Sequence, residues 1–242
     1  MFAKKAKKGV FVQVVLRREE KYPLTLGEAY QYAEKFQPLL TADPASADGN
    51  YKVRSLYFDT LGDDDFFDKI REQNIRRKIR LRIYHPGDRT AKLEMKQKEN
   101  IYQKKRSLSV SREDAIKLIR GDYTVLLSYE EPFAKELFCM MNEECYRPKS
   151  IVEYDRRAFM APVNNIRLTF DSNIQATESS VDLFDPNLIL YPVYPEDRVV
   201  FEVKYNRFLL DYLQQILESI DRREVSSSKY CLGRSIGYPL FV

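Results

Sequence analysis

The sequence is poor in histidine and cysteine. Its only histidine, His85, falls in a predicted turn, which argues against histidine-based catalysis and histidine metal sites. The three cysteines, Cys139, Cys145 and Cys231, are an odd number and lack the spacing of a metal site. We therefore expect reduced, buried thiols in a cytoplasmic protein.

Long apolar runs are also missing. No run is long enough to span a bilayer, so no transmembrane segment is predicted. The basic start resembles the first part of a signal peptide, but the apolar stretch at 10–16 is short, ends in charged residues and has no cleavage site after it. We predict a basic N-terminal tail over residues 1–9 and a single domain over residues 10–242.

Charge is abundant but nearly balanced. Charged residues make up 31% of the chain and hydrophobic residues 44%, which is typical of a globular protein. The 40 basic residues exceed the 36 acidic residues by only four. Any anion-binding site must therefore come from a local arrangement of basic side chains and not from bulk charge.

The stretch from Arg76 to Arg106 shows such an arrangement over three predicted strands. Alternate residues of a strand face the same side. On the first strand one face carries Lys78, Arg80 and Arg82. On the second strand one face carries Lys92, Glu94, Lys96 and Lys98. Like charges on neighbouring strands repel each other, so two arrangements stay open: a solvated outer face, or a barrel with the charged face inward around an anion.

The whole chain predicts an α+β fold. About eight strands at mostly antiparallel spacing are the right number to close a small barrel, with helices flanking it. Thr25 and Glu28 form a capping-box pattern before the first helix. The predicted helices cover 26–40, 63–73, 111–120, 132–142 and 208–220.

Each predicted strand adds charged residues to the candidate inner face. These candidates are Arg17, Glu19, Lys21, Arg80, Arg82, Glu94, Lys96, Arg106, Arg156, Arg167, Glu202 and Lys204. Guanidinium groups match phosphate oxygens, and carboxylates suit Mg²⁺ or Mn²⁺. A barrel lined in this way predicts a polyanion bound together with a divalent metal.

Several short motifs, in order along nearly the whole chain, resemble the VTC domain family, the polyphosphate polymerase branch of the triphosphate tunnel metalloenzymes. The motifs are Arg17-x-Glu19-x-Lys21-Tyr22, Ser55-Leu56-Tyr57-Phe58-Asp59-Thr60, Arg80-Leu81-Arg82, Glu94-x-Lys96, Tyr154-x-Arg156-x-Ala158-Phe159, Arg167-x-Thr169-Phe170-Asp171, Phe201-Glu202-Val203-Lys204 and Ser228-Lys229-Tyr230.

The resemblance implies a closed eight-stranded tunnel in which a polyphosphate chain grows by taking the γ-phosphoryl group of ATP. It implies phosphate binding by Lys21, Arg80, Arg82, Lys96, Arg106, Arg156, Arg167, Lys204 and Lys229. It implies Mn²⁺ or Mg²⁺ held by Glu202, Glu94 and Glu19. The residues that it implies for catalysis are Glu202, Lys229, Arg80 and Arg82.

One position departs from the wider superfamily, in which the first strand often reads Glu-x-Glu-x-Lys. Arg17 replaces the first glutamate, which fits the polymerase branch and removes one carboxylate from the metal shell. A tunnel triphosphatase and a non-catalytic polyphosphate sensor stay open as alternatives. Nucleic acid is not expected as the main partner. The family often works beside membrane proteins, so such a partner is possible, and the sequence leaves the oligomeric state open.

Overall fold

The computed structural model of the protein describes residues 13–15, 17–46, 49–100, 102–220 and 225–238, so the predicted tail at 1–9 lies outside the described residues. The strands are β1 (Gln13–Val15), β2 (Arg17–Thr25), β3 (Thr41–Ala42), β4 (Tyr51–Asp59), β5 (Ile75–Ile83), β6 (Thr90–Glu99), β7 (Tyr102–Ser111), β8 (Arg147–Ala161), β9 (Ile166–Thr177), β10 (Tyr191–Pro192) and β11 (Arg198–Asn206). The helices are α1 (Leu26–Phe36), α2 (Asp64–Ile70), α3 (Arg112–Ile119), α4 (Pro132–Glu143), α5 (Asp211–Glu218) and α6 (Lys229–Arg234).

The strands form one antiparallel sheet, and with the helices they confirm the α+β class. The prediction of a closed eight-stranded barrel is wrong. In the described part of the chain the sheet has eleven strands in the order β1-β7-β6-β5-β4-β8-β9-β11-β2, with β10 beside β9 and β3 beside β8. Among the described residues, no hydrogen-bonded ladder joins the two end strands of this order. The extra strands are the short β3 and β10 and the separate segment β1, which pairs with β7 while β2 pairs with β11.

The sheet curls strongly although its ladder is open. Five strands separate β6 from β2 in the sheet order. Nevertheless, the Lys96 Nζ of β6 donates a hydrogen bond of 2.7 Å to the Glu19 Oε2 of β2. The two end strands are also neighbours along the chain, because a single residue separates Val15 from Arg17. One face of the sheet is therefore concave, and the side chains of distant strands meet there.

The convex face carries two hydrophobic cores. In the first, Ile79, Leu81 and Leu93 pack under α3 and α4. In the second, Phe170 and Phe201, with ring centroids 4.6 Å apart, pack under α1 and α5. Because alternate residues face opposite sides, burial of the apolar set on the convex face directs the charged set of the same strands to the concave face.

A third core closes part of the concave face. Tyr230 of α6 stacks on Tyr57 of β4, with ring centroids 5.1 Å apart. The Tyr230 hydroxyl donates a hydrogen bond of 2.5 Å to Asp59, which also accepts from the first-turn amides of α2. A Cβ at Gly233 would lie 2.5 Å from Val152 Cγ2. Glycine therefore allows α6 to pack directly against β8.

Local sequence signals set the helix starts. Thr25 and Glu28 form the predicted capping box, and Ser111 caps α3. Helix α5 is shorter than predicted, and Cys139 and Cys145 are free but exposed, so the prediction of buried thiols holds only for Cys231. None of the described helices has the length and apolar character needed to cross a membrane.

Candidate functional site

The concave face collects most of the charged residues that the sequence singles out. The strand register places them on the same face of β2, β5, β6, β8, β9 and β11. These residues are Glu19, Lys21, Arg80, Arg82, Glu94, Lys96, Arg156, Arg167, Glu202 and Lys204. Lys229 joins them from the first turn of α6, which lies on the same face.

The first cluster surrounds Glu94. Its carboxylate lies 2.8 Å from Arg80 Nη2, 3.8 Å from Arg82 Nε and 2.6 Å from Lys105 Nζ. Arg80 also donates a hydrogen bond of 3.1 Å to the Tyr57 hydroxyl. Burial alone would raise the pKa of Glu94, but the surrounding cations, Arg80 foremost, hold it well below its ordinary value. Three cations share one carboxylate, so this cluster retains positive charge for an anionic ligand.

The second cluster surrounds Asp171, which is fully buried. Arg156 binds it through two hydrogen bonds of 2.6 and 2.7 Å, and Lys229 Nζ lies 2.5 Å from Oδ2. Burial would raise the pKa of Asp171, but Arg156 and Lys229 lower it to about 2. Both cations also lie over the Tyr154 ring, at 5.1 and 4.6 Å from its centroid. Asp171 and Tyr154 therefore position Lys229 at the inner surface.

The third cluster contains two neighbouring carboxylates. Lys21 Nζ lies 3.4 Å from Glu19 and 3.8 Å from Glu202. Lys204 donates to Glu202, and Lys96 donates to Glu19. Burial would raise the pKa of Glu202, but Lys204 and Lys21 hold it well below its ordinary value. Burial lowers the pKa of Lys204 to about 8, against the opposing effect of Glu202.

These carboxylates differ in how well they suit a metal. Among the described residues, no three histidine, cysteine, aspartate or glutamate side chains gather into a metal site. Mg²⁺ is commonly held by one or two carboxylates together with substrate phosphates. The pair Glu19 and Glu202 fits that pattern. Glu94 is less favourable, because three cations surround its single carboxylate, whereas three lysines are shared between the two carboxylates of Glu19 and Glu202.

Arg167 lies on the concave face beside Asp43 and Tyr51. Its Nη2 donates hydrogen bonds of 2.5 Å to Asp43 and 3.0 Å to the Tyr51 hydroxyl. Its Nε and the Thr169 hydroxyl are buried without a hydrogen-bond partner in the described chain. Buried polar atoms are normally paired, so both have unused hydrogen-bonding capacity.

A cavity of about 340 Å³, here called the mouth cavity, opens at the start of β5. Its charged lining is Glu19, Lys21, Lys69, Arg76, Arg77, Lys78, Lys96 and Lys98. Lys78 donates a hydrogen bond of 2.6 Å to the Ser228 hydroxyl. Burial, aided by Lys21 and Lys96, lowers the pKa of Lys78 to about 7. One carboxylate among seven basic side chains makes the mouth cavity strongly cationic.

Arg106 is not part of this arrangement, and its inclusion among the inner residues needs correction. It pairs with Met95 in the β6–β7 ladder and therefore lies on the convex face. There its Nη2 donates a hydrogen bond of 2.5 Å to Glu136 of α4, and its guanidinium lies 4.6 Å from the Phe133 ring centroid. Arg106 holds α4 against the sheet.

We therefore expect Arg106→Ala to lower the free energy of unfolding by about 0.5–3 kcal/mol, the usual range for a destabilising single substitution. Affinity for tripolyphosphate, measured by calorimetry, should not change. Arg80→Ala is the matched control, because it removes an arginine from the concave face and should weaken binding. Equal losses of affinity in both variants would return Arg106 to the binding site.

Sequence reasoning missed several residues of the site. On β7 the residue on the inner face is Lys105 and not the predicted Arg106, and Lys78 lies on the charged face although the sequence predicts no role for it. The sequence motifs include Asp171 but do not predict that it holds both Arg156 and Lys229. The sequence feature that could have identified Lys105 is the turn between β6 and β7, because it fixes which residues of β7 face inward. In this turn Asn100 has a φ of 53° and Glu99 pairs with Tyr102.

Comparison with known proteins gives a family match and several similar solved structures. The family model of the VTC domain matches residues 16–238. No curated protein matches the sequence.

Two solved structures share the fold at low sequence identity. One is a candidate adenylate cyclase from Bacillus halodurans, with 11% identity, a TM-score of 0.51, and coverage of 90% of this chain and 95% of that chain. The other is a candidate adenylyl cyclase from Hippeastrum, described as having a dominant triphosphatase activity. It has 12% identity, a TM-score of 0.55, and coverage of 92% of this chain and 96% of that chain.

Proposed function

The chain belongs to the VTC domain family, and from that premise we propose that it is a polyphosphate polymerase. It transfers the γ-phosphoryl group of ATP to a growing polyphosphate chain on the concave face, with Mn²⁺ or Mg²⁺ bound. The observation that carries this proposal is the excess of basic side chains over carboxylates on that face, described above.

The length of the basic surface supports a polymeric ligand. Arg76, Lys78, Arg80 and Arg82 follow one another on the inner side of β5. Arg76 and Arg82 are six residue steps apart along the strand, about 20 Å. A single carboxylate or phosphate would occupy only a small part of that length, whereas a chain of phosphates contacts all of it.

Phosphoryl transfer needs positioning and neutralisation of charge more than covalent help from the protein. In this proposal Arg80, Arg82 and Lys229 bind the oxygens of the transferred phosphoryl group. The sequence has no glycine-rich phosphate loop, so side chains do this work. Glu202 and Glu19 would hold the divalent metal. When bound, the metal neutralises charge that develops on the transferred group.

Hydrolysis is the second candidate, because the Hippeastrum structure is described by its triphosphatase activity. A triphosphatase shares the basic lining and the metal but releases free phosphate. A non-catalytic polyphosphate sensor binds the same ligands without turnover.

The three free cysteines fit the reducing cytoplasm that we propose as the compartment.

One incubation separates these functions. Purified protein is mixed with ATP and Mn²⁺, and ADP, free phosphate and long phosphate chains on a gel are measured. The polymerase predicts ADP together with phosphate chains and little free phosphate. ADP with an equal amount of free phosphate and no chains would contradict it and indicate a triphosphatase. No ADP, with tripolyphosphate still bound, would indicate a sensor.

A further inference from the structure

A second cavity of about 350 Å³, here called the side cavity, lies beside the mouth cavity. Its apolar lining comes from Ile70, Tyr194, Cys231 and Leu232. Lys69 and residues 225–228 line both cavities. The volume falls within the roughly 300–1,000 Å³ of small-molecule sites, which are mostly apolar with a few polar groups.

Residues 225–228 form the wall between the two cavities, and two lysine side chains hydrogen-bond to it. Lys69 donates a hydrogen bond of 2.6 Å to the Ser226 hydroxyl, and Lys21 donates one of 2.7 Å to the Ser227 carbonyl. An apolar cavity and a cationic cavity therefore meet at Lys69. A molecule with an aromatic head and a polyanionic tail matches this pair.

Tyr194 lines the side cavity beside α6, the helix that begins with Lys229. Its ring is half-buried in the cavity wall and packs against the third core, which contains Tyr230 and Cys231 of α6. An aromatic ring at this position offers a stacking surface for a base, and base stacking on aromatic side chains is a common source of affinity.

We propose that the nucleoside of ATP binds in the side cavity, with its base stacked on Tyr194, while the triphosphate passes Lys69 into the mouth cavity. This inference rests on the proposed use of ATP as the phosphoryl donor. It makes Tyr194 a residue that determines affinity for the nucleotide but not for phosphate alone.

The test compares ATP with tripolyphosphate, which has the same anionic tail and no base. Dissociation constants are measured by calorimetry for wild-type protein, Tyr194→Ala and Tyr194→Phe. Tyr194→Ala should weaken ATP binding about tenfold, within the range that loss of one stacking contact produces, and leave tripolyphosphate binding unchanged. Tyr194→Phe keeps the ring and should bind ATP as wild type does. Tyr191→Ala, at an exposed tyrosine outside the cavity lining, is the matched control.

Unchanged ATP affinity in Tyr194→Ala, or equal losses for both ligands, would overturn the inference. If Tyr194→Ala does not fold, Tyr194→Leu keeps the apolar bulk without the ring and should show the same selective loss. Absence of tripolyphosphate binding by the wild-type protein would instead defeat the proposed function. The two failures are therefore distinguishable.

Discussion

Glu202→Gln should reduce ADP formation from ATP by two orders of magnitude or more, on the order of what removal of one transition-state contact costs. The glutamine keeps the shape of the side chain and removes the charge that, together with Glu19, would hold the metal. Tripolyphosphate should still bind, because Lys21 and Lys204 lose a competing anion and become available to the ligand. Binding of Mn²⁺ to the complex with tripolyphosphate, measured by calorimetry, should weaken at the same time.

The structure also shows an alternative role for Glu202, as a partner of Lys204 and Lys21 alone. In that case Glu202→Gln would lower the melting temperature but leave Mn²⁺ binding and turnover intact. Glu218→Gln, on the exposed side of α5, is the control for removal of a carboxylate elsewhere. Turnover at the wild-type rate in Glu202→Gln would exclude the metal role of Glu202.

Much of the concave face was predictable from strand periodicity. In β5 the basic residues Arg80 and Arg82 alternate with the apolar Ile79 and Leu81, and burial of the apolar set under α3 and α4 decides which face is charged. The same logic placed Glu202 and Lys204. Periodicity alone left the direction of the charged face undecided, because that depends on where the helices pack.

Arg106 shows where such reasoning fails. A strand that is shifted by one residue turns every side chain to the opposite face. The register of β7 depends on the turn at Asn100, which sets Lys96 opposite Lys105. The prediction that Arg106 faces inward rests on its charge and does not consider the length of the turn. Because the turn sets the register, Lys105 faces inward instead.

The cluster around Asp171 was beyond the reach of local patterns. Lys229 and Asp171 are far apart in sequence, and they meet only because α6 packs on the concave face. The open ladder of the sheet has a similar origin. It depends on the separate segments β1 and β2, which are neighbours along the chain but pair with different strands.

Lys78 makes the affinity for tripolyphosphate depend on pH. Its pKa falls from the ordinary 10.5 to about 7 in the free protein, whereas a bound phosphate favours the charged amine and raises it. Binding therefore takes up a proton above about pH 7, and affinity should fall by up to about tenfold per pH unit between pH 7 and 9.

The free energy of unfolding of the free protein should change in the opposite direction. The unfolded chain binds more protons than the folded protein between about pH 7 and 10.5, so stability rises with pH over that window.

Lys78→Arg is the matched variant, because arginine stays charged throughout this range. Calorimetric titrations of both proteins with tripolyphosphate at pH 7, 8 and 9 should show a steeper loss of affinity for the wild type. Titration of the ligand itself, and of other lysines such as Lys204, is common to both proteins and cancels in the comparison. Parallel profiles would mean that Lys78 does not contact the phosphates.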